Sequence, residues 1–171
     1  MDKNTTMYAL SNTDIDRLCP NSFMLYDQFD KVKNINTFLK IGTGKIILIR
    51  DSPNSGHYIL LFRAGLNKYY FVNSFGYKVD EQMKIYISKK DNELFNGGGD
   101  DLERLLKSKS VSILNLPLQD KKTNVCGRFA VFFLRLFQAG ATLNEAIRML
   151  KYLKREMRLS FDDIVVELIK L

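Results

Sequence analysis

The chain has 171 residues, 46% hydrophobic and 26% charged, with a formal net charge of +7. That length suits one domain, residues 1–171, burying about 68–70% of its unfolded surface, and the composition is that of a globular rather than a disordered or fibrous chain. With no apolar run near the ~18 residues of a membrane span, two cysteines and one histidine, the sequence argues against a membrane protein, a disulfide framework and a cysteine- or histidine-rich metal site.

The positive charge biases encounters toward polyanions without naming one. Met1–Thr6 lacks the apolar core of a secretory signal, so a reducing, non-secreted setting is expected. In chain order, Asn12-Thr13-Asp14 ahead of Ile15 and Leu18 predicts a short capped helix that stops by Pro20. Cys19, beside that proline, lacks helix-start context and reads as an inert filler thiol. Phe23, Tyr26, Phe29 and Phe38 are scattered aromatics for packing onto the main body.

Lys45–Arg50 is a β-branched run with charged ends and predicts a buried strand. The turn cluster Asp51–Gly56 separates it from a second strand, His57–Arg63. Ala64-Gly65-Leu66 returns the chain into a third strand, Asn67–Asn73, giving a hairpin with a three-residue loop. With Arg63 opposite Asn67, counting back along both strands sets His57 opposite Asn73, Cβ atoms about 4.5–5.5 Å apart. A slip of one residue puts Ser74 there instead.

Val79–Ser88 fits either helix or strand. Asn96-Gly97-Gly98-Gly99-Asp100 predicts a flexible surface loop, followed by a short helix from Asp100 to Lys107. Val111–Leu116 alternates as a strand leading to Gln119, and Cys126 to Ala139 predicts a central helix stopped by Gly140. Thr142-Leu143-Asn144-Glu145 is a capping box for a helix to about Leu159, with Leu143, Ile147, Leu150 and Met157 as its apolar face. Its other face carries a basic stripe, Arg148, Lys151, Arg155 and Arg158, which by itself reads first as a solvated face. Ser160 and Asp163 cap a final helix, 161–170. The mixture of elements is α+β.

The chemistry centres on Cys126. A thiol opening a helix faces unpaired backbone N–H groups and the positive end of the dipole, both of which favour thiolate. His57 is the only imidazole in the chain and so the only candidate base of the usual kind. Asn73 accepting from His57 would hold the ring in one tautomer. Gln119, seven positions before the cysteine, can combine with the Cys126 N–H as an oxyanion hole.

The order His57, Asn73, Gln119, Cys126 resembles that of the adenovirus-type maturation endopeptidases (adenain) and the related SUMO-type proteases. Gly56-His57-Tyr58 before an apolar strand resembles the family's His-Trp strand. Tyr69–Gly76 resembles its YxFxSFG segment, and Gln119 through Cys126-Gly127 its Gln-(six residues)-Cys-Gly motif. The likeness covers about residues 10–140; Tyr58 stands where the family has Trp, and Asn73 where it has Asp or Glu.

The resemblance implies a papain-like fold in which a central mixed sheet is flanked by helices and the nucleophile opens the central helix. It implies a cysteine endopeptidase that cuts virion precursor proteins after small, Gly-type residues, in the virion and the host-cell cytoplasm, as in virophages or Polinton-type elements. It implies no cofactor beyond viral double-stranded DNA or an activating peptide, with the basic stripe as the DNA contact. The same preference for glycine marks Gly97–Gly99 as a place for self-cleavage. The rival readings are a ubiquitin- or SUMO-type isopeptidase and a DNA-associated pseudo-protease.

Overall fold

A computed structural model describes residues 9–171; the Met1–Thr6 segment lies outside them. Five strands form one mixed sheet in the order of the sequence: β1 (Phe23–Leu25), β2 (Gly44–Ser52), β3 (Ser55–Arg63), β4 (Lys68–Val72) and β5 (Ser110–Ile113). The inner pairs are antiparallel and the two outer pairs, β1–β2 and β4–β5, parallel. The helices are α1 (Asn12–Leu18), α2 (Ile35–Phe38), α3 (Glu81–Tyr86), α4 (Lys89–Phe95), α5 (Asp101–Leu105), α6 (Cys126–Gln138), α7 (Leu143–Met157) and α8 (Phe161–Leu168). The fold is α+β, as the sequence led one to expect.

Both faces of the sheet are covered, which is why β3 reads as an almost unbroken apolar run instead of an alternating one. Tyr58, Leu60 and Phe62 point to one side, with Tyr70 and Val72, and meet α6, α7 and α8 through Phe129, Phe133, Leu150 and Ile164. Ile59 and Leu61 point to the other, with Tyr69 and Phe71, and meet Tyr26, Phe29, Met83 and Leu102. Helix α6 is buried through Gly127–Leu134 and again at Phe137, as expected of a helix enclosed by a sheet and two further helices.

Several expectations give way to longer-range contacts. The β3–β4 register is two residues from the expected one: Arg63 pairs with Tyr69, not Asn67. The cause is the Arg63 guanidinium, which is buried and donates to the carbonyls of Asn36 (2.8 Å), Leu39 (2.9 Å), Gly65 (3.2 Å) and Leu66 (2.8 Å), holding the return open as a wider loop. A shift of two preserves which face each side chain uses, so the sheet remains correctly sided. At the other end β2 and β3 run on into the turn cluster, leaving only Pro53 and Asn54 between them.

Val79–Ser88 resolves as helix α3, and α4 follows without any counterpart in the sequence reading. The glycine-rich segment is a surface turn, as expected, with Gly97 and Gly98 exposed. Asn96 is fully buried, and its amide brackets the Arg50 backbone, accepting from N–H at 3.0 Å and donating to the carbonyl at 2.8 Å. It thereby closes the edge of β2 beyond the point where β1 ends. Gly97, Gly98 and Gly99 all have positive φ (57°, 97°, 81°), a turn that side chains would strain. Met157, expected on the apolar face, is 37% exposed, because α7 ends there and Arg158 turns the chain in a left-handed conformation (φ 55°).

Candidate active site

Strand β4 stops at Val72, opposite Leu60, so β3 continues for several residues with no partner on that side. The Ala64 N–H points toward β4, where it donates to the Lys68 carbonyl at 2.8 Å, and the Arg63 N–H points toward β2. Strand alternation therefore directs the Tyr58 N–H into the space that β4 vacates. The start of α6 packs there, close enough that a Cβ at Gly127 would lie 3.1 Å from the Tyr58 ring, and the Tyr58 N–H is among the groups that favour the Cys126 thiolate. The start of α6 is thus seated against the residue that follows His57.

The His57 side chain, 7% exposed, is held on two sides at the same open end of the sheet. Its ring stacks on Phe75, centroids 4.6 Å apart and planes 17° from parallel. Its Nε2 lies 3.0 Å from Asn73 Oδ1. The Phe75 N–H donates to the same Asn73 oxygen at 3.0 Å, and since a backbone N–H can only donate, the oxygen end of that amide is fixed. Nε2 must therefore carry the proton in the neutral ring, leaving Nδ1 as the bare, basic nitrogen. The contact expected between His57 and Asn73 is present, although the strands are not in the register that suggested it. Extending the observed register sets Phe75, not Asn73, level with His57.

Cys126 begins α6 with no side-chain cap, because the N-cap position is Val125. The N–H groups of Cys126 and Gly127 remain directed at the sulfur along with that of Tyr58, and all three favour thiolate. Burial outweighs them and pushes the thiol pKa above its ordinary value, so the helix-start effect expected from the sequence is present but not dominant. Burial also drives the His57 pKa down to about 4, against the Asn73 hydrogen bond that favours imidazolium. Each group on its own thus favours its neutral form. Gly127 is required for close approach: a Cβ there would lie 3.1 Å from the Tyr58 ring and 3.2 Å from Leu10.

Gln119 is buried, with its carboxamide oriented by neighbours. Ser74 Oγ donates to Oε1 at 2.6 Å, and Nε2 donates to the Thr123 carbonyl at 2.8 Å. Its Nε2 is thereby tied to the connector that leads to Cys126. Sequence reading passed over Ser74, Phe75 and Gln82, whose Oε1 accepts from Asn73 Nδ2 at 2.7 Å. Ser74 and Phe75 belong to the segment already singled out; nothing local to Gln82 marks it.

The cleft beside Cys126 has a volume of about 620 Å³ and is walled by Leu10, Asn12, Leu48, Arg50, Gly56 and Tyr58 among others. Asn12 accepts from the Tyr58 hydroxyl at 2.6 Å, fixing the ring that stands where the resembling family has Trp. Cys126 and Gly127, at the start of α6, line this cleft, whereas His57, Asn73 and Gln119 are buried and do not line it. Arg148, Lys151 and Arg155 lie on the exposed face of α7 and Arg158 caps its end; Arg155 also contacts Glu156 at 3.4 Å and the Tyr152 ring. Compared with known proteins, the chain matches no protein-family model and no curated sequence.

Proposed function

We propose that this chain is a cysteine endopeptidase of the papain-like, adenain-type kind, with Cys126 as nucleophile and His57 as the base that takes its proton. Asn73 orients the ring, and Gln119 with the Cys126 N–H receives the oxyanion. One observation supports this reading: Tyr58, the residue after His57, packs against the start of α6 beside Cys126 where β4 ends, and the His57 imidazole is held by Asn73. In the reaction the sulfur forms a bond to the scissile carbonyl carbon as its proton passes to Nδ1, and the same proton goes to the departing amine. Water then releases the acyl group.

The proposed substrates are virion precursor proteins cut after small residues, in the virion or the host-cell cytoplasm, on the strength of the sequence resemblance alone. Double-stranded DNA is the proposed partner of the α7 stripe. If the four basic residues there neutralise phosphates, affinity for duplex DNA should fall with salt at a log–log slope of about −3 to −4.

Iodoacetamide labelling mapped to Cys126 tests the core of the reading: labelling at neutral pH should be fast in the native chain and at least about tenfold slower in His57→Ala. Equal rates would reject it. Incubation with capsid precursors beside ubiquitin and SUMO conjugates, with Cys126→Ala as the blank, then separates endopeptidase from isopeptidase.

A further inference from the structure

Asn73 is 1% exposed, and both ends of its amide are in use. The oxygen receives the protons of His57 Nε2 and the Phe75 N–H, each at 3.0 Å, and Nδ2 donates to Gln82 Oε1 at 2.7 Å. An amide directs a histidine less strongly than a carboxylate does. It carries no net charge, and only one of its ends selects the Nε2–H tautomer. Phe75 settles which end that is, yet contacts at the oxygen alone leave the amide plane able to swing about its terminal torsion, which is broad for Asn.

Gln82 holds the opposite end, and it does so from a separate element. Helix α3 has anchors of its own in the second core. Met83 is fully buried, and Asp80, just before the helix, accepts from the Tyr26 hydroxyl and the Glu103 N–H, both at 2.8 Å. The chain His57–Asn73–Gln82 therefore runs from the site into a fixed part of the second core, and each hydrogen bond polarises the next.

We propose that Gln82 is a positioning residue for proton transfer: it holds the Asn73 carboxamide in the plane that keeps the His57 proton on Nε2 and leaves Nδ1 bare for the Cys126 proton. The inference rests on the protease reading above. It also gives a physical reason why a neutral residue suffices at position 73. The role of a carboxylate is divided between an oxygen that accepts from the ring and a nitrogen whose direction a second amide fixes.

The test uses the full chain and iodoacetamide, with the rate of Cys126 alkylation followed by peptide mass spectrometry over about pH 5 to 10. Gln82→Leu keeps the bulk and removes the acceptor; alkylation at neutral pH should slow about 5- to 10-fold. Gln82→Glu restores the acceptor with a charge, so the rate should recover to within about twofold and the alkaline limb should move up by about half to one pH unit. A packing role alone would predict the reverse order, since Leu fills the half-buried position more readily than Glu. A Gln82→Leu profile that superposes on the native one overturns the proposal. So does a Gln82→Glu rate no better than that of Gln82→Leu, with both variants shown folded by thermal melting. In either case a native rate that still depends on His57 shows that Gln82 alone was misjudged. A native rate indifferent to His57→Ala sinks the protease reading and this inference together.

Discussion

Replacing Asn73 with Asp puts a charge where the structure has a dipole. Both contacts at the oxygen survive, because His57 Nε2 and the Phe75 N–H donate to an oxygen in either residue. The second carboxylate oxygen would face Gln82 Oε1 across the present 2.7 Å, so Gln82 must turn its amide over and donate. Half-buried, it has room to do so. In the native chain burial holds the His57 pKa at about 4 and the Cys126 thiol above its usual range, so the neutral pair prevails. A carboxylate in direct contact raises a partner's pKa by about 1–3 units, roughly 1.4–4 kcal/mol toward imidazolium. The thiolate–imidazolium population should therefore rise about 10- to 1000-fold, with the lower part of that range expected because the new carboxylate is itself desolvated.

Two measurements follow from the sign of that change. Cys126 alkylation between about pH 5 and 7 should be at least tenfold faster in Asn73→Asp, since imidazolium would persist to higher pH. Folding stability supplies an independent check. The native ring refuses a proton that the unfolded chain accepts, so its contribution is lost as pH falls from 6.5 toward about 4. The Asp variant should lose less over that interval. Unchanged alkylation and an unchanged acid slope would refute the coupling between Asn73 and the ring.

Asp80 is the opposite case: burial lifts its pKa from 3.8 to about 7, against hydrogen bonds from Glu103 N–H and Tyr26 that favour the anion. The folded state holds the proton more tightly than the unfolded one, so stability should decline as pH rises from about 4 to 7. Urea unfolding of Asp80→Asn should show a flatter slope there and a loss of about 1–3 kcal/mol from one donor facing another. Gly56→Ala would set a Cβ 2.1 Å from the Ile49 carbonyl oxygen, forcing open the β2–β3 tip next to His57. A stability loss of at least about 2 kcal/mol and near-complete loss of rapid Cys126 labelling are expected, read by thermal melting and alkylation. Arg63→Met keeps the stem and removes four hydrogen bonds to carbonyls; about 2–4 kcal/mol should be lost in urea unfolding.

What the sequence determined by itself is what short stretches encode. Helix α7 begins where Thr142 and Glu145 exchange caps, and α8 where Ser160 accepts from the Asp163 N–H, because a cap is complete within four residues. The buried run of β3 and the apolar bulk of α6 were legible because side-chain period reports burial locally. The order of His57, Asn73, Gln119 and Cys126 was on the page, but not the means of their meeting. Only the tertiary structure decided that β4 ends early enough for the start of α6 to pack against Tyr58, that Arg63 moves the hairpin register by two, and that Asn96 and Gln82 each complete a backbone edge or an amide from a separate element. It also decided that burial overrides the helix terminus at Cys126. These outcomes depend on single polar side chains bonding between separate elements, from 9 to 46 residues apart in the chain, and on desolvation set by the whole surrounding fold. Neither leaves a periodic trace in the chain.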